Sequence, residues 1–121
     1  VSLQSVLVFS FSAAVLRWFV LAFTESLPVI LASQLLHAFT YGAFHMASIL
    51  RIDELMPPGS KTMGQAANNA VTYGLGMMAG LFGSGLLYEA TNPSVLFSIS
   101  GLTAAAGGGI MILLRSKLPA V

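Results

Sequence analysis

Gln34, His37, Tyr41, His45 and Ser48 follow one another at intervals of three, four, four and three. On a helix with 3.6 residues per turn this spacing keeps all five on one face. An amide, two imidazoles, a phenol and a hydroxyl in a row can bind a hydrogen-bonding solute or pass a proton, because imidazole changes charge near neutral pH. The same row can instead be a hydrogen-bonded seam between helices, with both histidines neutral. One metal ion cannot join the histidines, since eight helical residues separate them, about 12 Å of rise. The sequence therefore offers no metal site and implies no cofactor. It also offers no enzyme site, because no predicted span pairs a nucleophile with a base and neither histidine has a carboxylate orienter in its own span.

Two other groups of residues carry chemical potential. Gln65, Asn68, Asn69 and Thr72 form a band of amides and a hydroxyl that either caps a helix end or lines the mouth of a cavity. Arg17 is the one charge well inside a predicted apolar segment. Either it snorkels to an interface beside Trp18, or it turns inward and meets an anion.

The elements that position these groups follow from composition. Of 121 residues 56% are hydrophobic and 7% charged, with a mean hydropathy of +0.87. Soluble domains carry about 25% charged residues, so lipid is the expected solvent. A net charge of +1 without clustered cations gives no reason to expect a nucleic-acid partner, and the absence of cysteine excludes disulfides. The chain starts at Val1 inside an apolar run with no basic leader, which reads as a start within a longer protein.

A helix needs about 20 mostly apolar residues to cross the hydrocarbon core. Stretches 3–22, 27–52, 63–88 and 94–114 qualify, so the expected fold class is all-α, an integral membrane bundle of four transmembrane helices. Thr24, Glu25 and Ser26 make the first turn, with Pro28 in the first turn of the next helix. Pro57, Pro58 and Gly59 break the chain, Asn92 with Pro93 turns it again, and Arg115, Lys117 and Pro119 end the last helix. Arg51, Lys61, Arg115 and Lys117 fall on one side of such a bundle, and Glu25 and Glu89 on the other. The positive-inside rule then puts both chain ends in the cytoplasm, in the inner membrane of the cell. Rows of small residues, Gly76, Gly80 and Ser84, then Gly101, Ala105 and Gly109, are expected to let helix backbones approach closely.

Taken in order, Leu16-Arg17-Trp18, then Gln34-Leu35-Leu36-His37-Ala38-Phe39, then Gly85-Leu86-Leu87-Tyr88-Glu89 resemble the last four helices of major facilitator superfamily transporters. The branch they resemble holds the 3-phenylpropionic acid transporters and, more distantly, lactose permease. The resemblance implies helices nine to twelve of a twelve-helix fold, with a substrate held at mid-membrane and alternating access. Arg17 and His37 match an arginine and a histidine near the permease's proton-coupling site, whereas Gln34 and Thr40 stand where the permease has a lysine and a glutamate. A titrating carboxylate would then lie outside this chain, or His37 would replace it.

The expected function is secondary transport of a small organic solute, an aromatic acid, sugar or nucleoside, by proton-coupled symport. Arg17, Gln34, His37, Tyr41, His45 and Asn69 are the candidate substrate and proton pathway, and the partners are lipid, protons and the remaining helices of the transporter. The alternatives are a small four-helix efflux dimer, which would need a membrane carboxylate, and a structural or assembly subunit whose polar stripe docks a partner helix.

Overall fold

A computed structural model describes residues 2–115 and Lys117. Among these residues every regular element is helical, and four helices are long and apolar enough to cross a membrane. They are α1 (Leu3–Phe23), α2 (Leu27–Leu55), α3 (Lys61–Ala90) and α4 (Pro93–Arg115). Pro119 lies outside the described residues.

Local chemistry sets each boundary. Ser2 caps α1 by accepting the Ser5 amide at 3.2 Å. The three-residue link to α2 is closed by the Thr24 hydroxyl, which accepts the Ser26 amide at 3.3 Å, and Pro28 then sits in the first turn of α2. At the other end α2 runs three residues past the expected stop at 52. Arg51 and Glu54 form an ion pair at 3.1 Å across one turn of the extended helix. It halts at Met56, whose ψ of 138° is the extended conformation required before Pro57.

The Ser60 amide then donates to the Pro57 carbonyl at 3.0 Å, with Gly59 at φ 92°. Proline second and glycine third in such a turn is the type II pattern, and the positive φ is why glycine stands there. Asn92 caps α4 by accepting the Val95 amide at 3.0 Å, with Pro93 at the first helical position.

The third crossing differs from expectation inside its span. It begins at Lys61 and ends at Ala90, but Ala70–Gly76 form a π-helical segment in its middle. Wider π turns are rare and concentrate at functional sites. A widened turn also shifts the phase of everything after it, so the faces taken by Thr72 and Gly76 cannot be counted from Gln65 and Asn69 at 3.6 residues per turn.

Helix α1 is the centre of the packing, lying between α2 and α4, whereas α3 meets α2 and α4 only along narrow seams. The small-residue rows settle differently from one another. A side chain at Gly101 would collide with Phe19 at 2.9 Å and one at Gly107 with Phe11 at 2.9 Å, while Gly108 is buried against Phe11. The row that meets α1 is thus Gly101, Gly107 and Gly108, not Gly101, Ala105 and Gly109: Ala105 is exposed and Gly109 has open space around it. The two phenylalanines decide which rotation of α4 is used, because they need notches to fill. Gly80 also faces open space, and with Ser84 it lines a cleft between α3 and α4. Gly76 approaches only the Val71 carbonyl of its own helix.

Large apolar side chains cover the outside. Leu35, Phe23, Leu113 and Met63 are each more than 70% exposed, a surface that water would penalise and lipid accepts. The chain is a multi-pass membrane protein.

Candidate functional site

Arg17 is 6% exposed, so it does not snorkel to the surface of this bundle. Its guanidinium carbon lies 4.2 Å from the centre of the Trp18 ring, a cation–π contact, and Trp18 in turn stacks on Phe97 of α4. The Arg17 Nε is buried and has no hydrogen-bond partner among the described residues. A buried guanidinium N–H left open is costly, which makes it a ready donor to an anion.

Arg17 stands in the walls of two cavities. One is an open cleft of about 950 Å³ that also takes in Glu25 and Gln34. The other, about 230 Å³, is lined by His37, Thr40 and Tyr41 from α2 together with Phe11 and Phe44. Gln34 thus shares one space with Arg17 and His37 the other. Thr40 turns its hydroxyl back onto the Leu36 carbonyl at 2.9 Å, which satisfies it within its own helix.

Lower on α2 the stripe becomes a cluster of rings. His37 and Tyr41 lie 5.9 Å apart between ring centres, and Tyr41 and His45 are stacked at 6.0 Å. From α3, Tyr73 completes the group. Its hydroxyl lies 2.9 Å from His45 Nδ1 and 3.2 Å from the Tyr41 hydroxyl. Tyr73 belongs to the π segment, so the irregular backbone is what presents this phenol to α2. Sequence reasoning stopped the polar band at Thr72 and missed Tyr73 beside it, because nothing in the residue pattern marks a π turn.

The remaining candidates divide. Gln65 donates its amide to the Ile49 carbonyl of α2 at 2.8 Å, a structural bond between helices. Thr72 donates to Asn68 at 3.3 Å. Asn69 is exposed on α3, and neither of the two Arg17 cavities includes it. The stripe on α2 is open in places: Gln34, His37 and Tyr41 are exposed within this chain, and Ser48 is half-buried. These helices alone do not cover that face. The arrangement can hold an acceptor-rich or anionic group at Arg17 and connect it, through aromatic hydroxyls, to a histidine deeper in the helix pair.

Comparison with known proteins gives a consistent picture. The family model described as the MFS_1 like family matches residues 1–99. Two relatives from Xenopus laevis are the major facilitator superfamily domain-containing protein 6-like protein A, 31% identical over 90 residues, and protein B, 29% identical over 90 residues. Each alignment covers 74% of this chain and 15% of the relative, so the chain spans a small part of their length. No solved structure matches.

Proposed function

The chain belongs to the MFS_1 like family, and from that premise we propose that it forms helices nine to twelve of a secondary transporter for a small organic anion, coupled to protons. The observation that carries this reading is the buried Arg17, with an open Nε, in the wall between two cavities. A buried guanidinium N–H without an acceptor is costly, and a carboxylate on the solute supplies that acceptor at the moment of binding. An aromatic acid suits the site best, because Trp18 and Tyr41 flank the arginine with ring surface. Sugars and nucleosides are the other solutes to test. Gln34 and His37 orient the solute from α2, and Tyr41 and His45 connect it to the proton. Asn69 belongs to the inner mouth of the pathway.

By the distribution of Arg51, Lys61 and Arg115 against Glu25 and Glu89, the Arg51 end is cytoplasmic, in an inner cell membrane. Alternating access would move this half against the other about the site.

Counterflow of radiolabelled acids, sugars and nucleosides by the complete protein in lipid vesicles tests the reading. We expect exchange of an aromatic acid, reduced at least tenfold by Arg17→Gln, which keeps hydrogen-bonding capacity and removes the charge. Silence across all three solute classes would overturn transport and favour a subunit whose polar stripe docks a neighbouring helix. Exchange that Arg17→Gln leaves intact would remove the anion site.

A further inference from the structure

The Tyr41, Tyr73 and His45 contacts form a chain of hydrogen bonds whose direction is fixed at one end by a proton. Tyr73 stands in the middle, its single hydroxyl proton shared between two neighbours at 2.9 Å and 3.2 Å. A tyrosine hydroxyl donates once and accepts through its lone pairs, and an imidazole nitrogen either accepts when bare or donates when protonated. Two arrangements run head to tail through the chain, and a third, in which Tyr73 accepts from both neighbours, leaves Tyr41 unswitched. With His45 neutral and Nδ1 bare, Tyr73 donates to His45 and Tyr41 donates to Tyr73, so Tyr41 offers only lone pairs to its surroundings. With a proton on Nδ1, which the imidazolium always has and one neutral tautomer also has, Nδ1–H donates to Tyr73, Tyr73 can donate to Tyr41, and the Tyr41 proton is released to point elsewhere; starting from the tautomer with Nδ1 bare, proton uptake is what makes this change.

The geometry points to a polarity relay, in which proton uptake by His45 converts Tyr41 from an acceptor into a donor facing the cavity that holds Arg17. Tyr41 lines the 230 Å³ cavity with Arg17 and His37, so a solute held in that space borders both the arginine and this tyrosine. The solute this favours carries a carboxylate or carbonyl oxygen, which takes one bond from Arg17 and a second from Tyr41 once the protein is protonated. No bond to carbon changes. One proton enters at His45, two hydroxyl protons swing about their C–O axes, and proton count and charge balance at each end. Tyr73 is a positioning residue that acts through its neighbours, held on α2 by the π segment. In mechanism the inference rests on the transport reading, but its test does not.

The titratable groups that face His45 are Tyr41 on its own helix and Tyr73 from α3. From α1, Arg17 shares a cavity with His37 about 12 Å of helical rise away. Arg51, Asp53, Glu54 and Lys61 occupy the far end of the same helix pair, joined as Arg51–Glu54 and Lys61–Asp53.

The experiment follows two reporters across a pH titration of the complete protein in lipid nanodiscs. Nitrogen-15 spectra of labelled histidine give the protonation state of His45, assigned by its loss in His45→Gln. Infrared difference spectra of ring-labelled tyrosine give the C–O stretch of Tyr41, assigned by its loss in Tyr41→Phe; this band separates donating from accepting phenols. We expect the Tyr41 band to shift with the same midpoint as His45, and the shift to vanish in Tyr73→Phe while His45 still titrates. A Tyr41 band that stays constant through the His45 titration overturns the relay, as does an unchanged shift in Tyr73→Phe. Should Tyr73→Phe not fold, the wild-type titration decides alone. A shift present in a protein that exchanges no solute supports the relay and removes transport; exchange without the shift removes the relay only.

Discussion

The seam between α1 and α4 and the seam between α2 and α3 join antiparallel helices by opposite means. In the first, Phe11 and Phe19 fill notches at Gly107 and Gly101, and shape is the whole content of the contact. In the second, Gln65 reaches the Ile49 carbonyl, Lys61 meets Asp53 at 2.6 Å, and Tyr73 ties Tyr41 to His45. Between helices in lipid there is no hydrophobic gain from association, so close packing or hydrogen bonding must supply it. A packed seam has one good geometry. A hydrogen-bonded seam can exchange partners with little loss, which suits the side of the bundle that carries the polar stripe.

Gly101→Leu should break the contrast most visibly. Its first side-chain atom already meets the Phe19 ring at 2.9 Å, and overpacking of this kind costs about 1–3 kcal/mol. Thermal unfolding of the complete protein in detergent should register the loss, while Gly80→Ala, whose added carbon meets nothing within 4 Å, should change stability by no more than about 0.5 kcal/mol. Equal losses at the two glycines would show that the notch filled by Phe19 is not what sets the cost at Gly101.

On the polar side the expected effects are smaller. Gln65→Ala removes one bond between helices, worth about 1 kcal/mol, and the same melt should show a shift well below that of Gly101→Leu. Lys61→Ala breaks an ion pair whose two side chains are each 47% exposed, so about 0.5 kcal/mol or less is at stake. That difference should shrink further in high salt, and a loss that salt leaves untouched would mean the lysine packs rather than pairs.

Much of the fold was legible because its boundaries are chemical. Prolines at 28, 57, 58 and 93 and the caps near them mark helix ends in any environment, and four apolar runs of spanning length leave few other architectures. The end of α2 was less legible, since Asp53 and Glu54 look like loop residues until the pairing of Arg51 with Glu54 is seen. Rotation of a helix about its axis was least legible. Gly101, Ala105 and Gly109 make a regular row, yet the neighbour's phenylalanines select Gly107 and Gly108 in its place. The stripe on α2 could be read directly from spacing, and so could the unusual placement of Arg17. Tyr73 could not, because the π segment that turns it toward His45 has no counterpart in residue type.

The links between helices have a mechanical meaning. Three residues join α1 to α2 and two join α3 to α4, both at the Glu25 and Glu89 end. At about 3.5 Å per residue a three-residue link lets the ends it joins part by no more than about 14 Å, so neither pair can separate there. Any spreading within a pair is thereby confined to the opposite end, as with tongs riveted at one end.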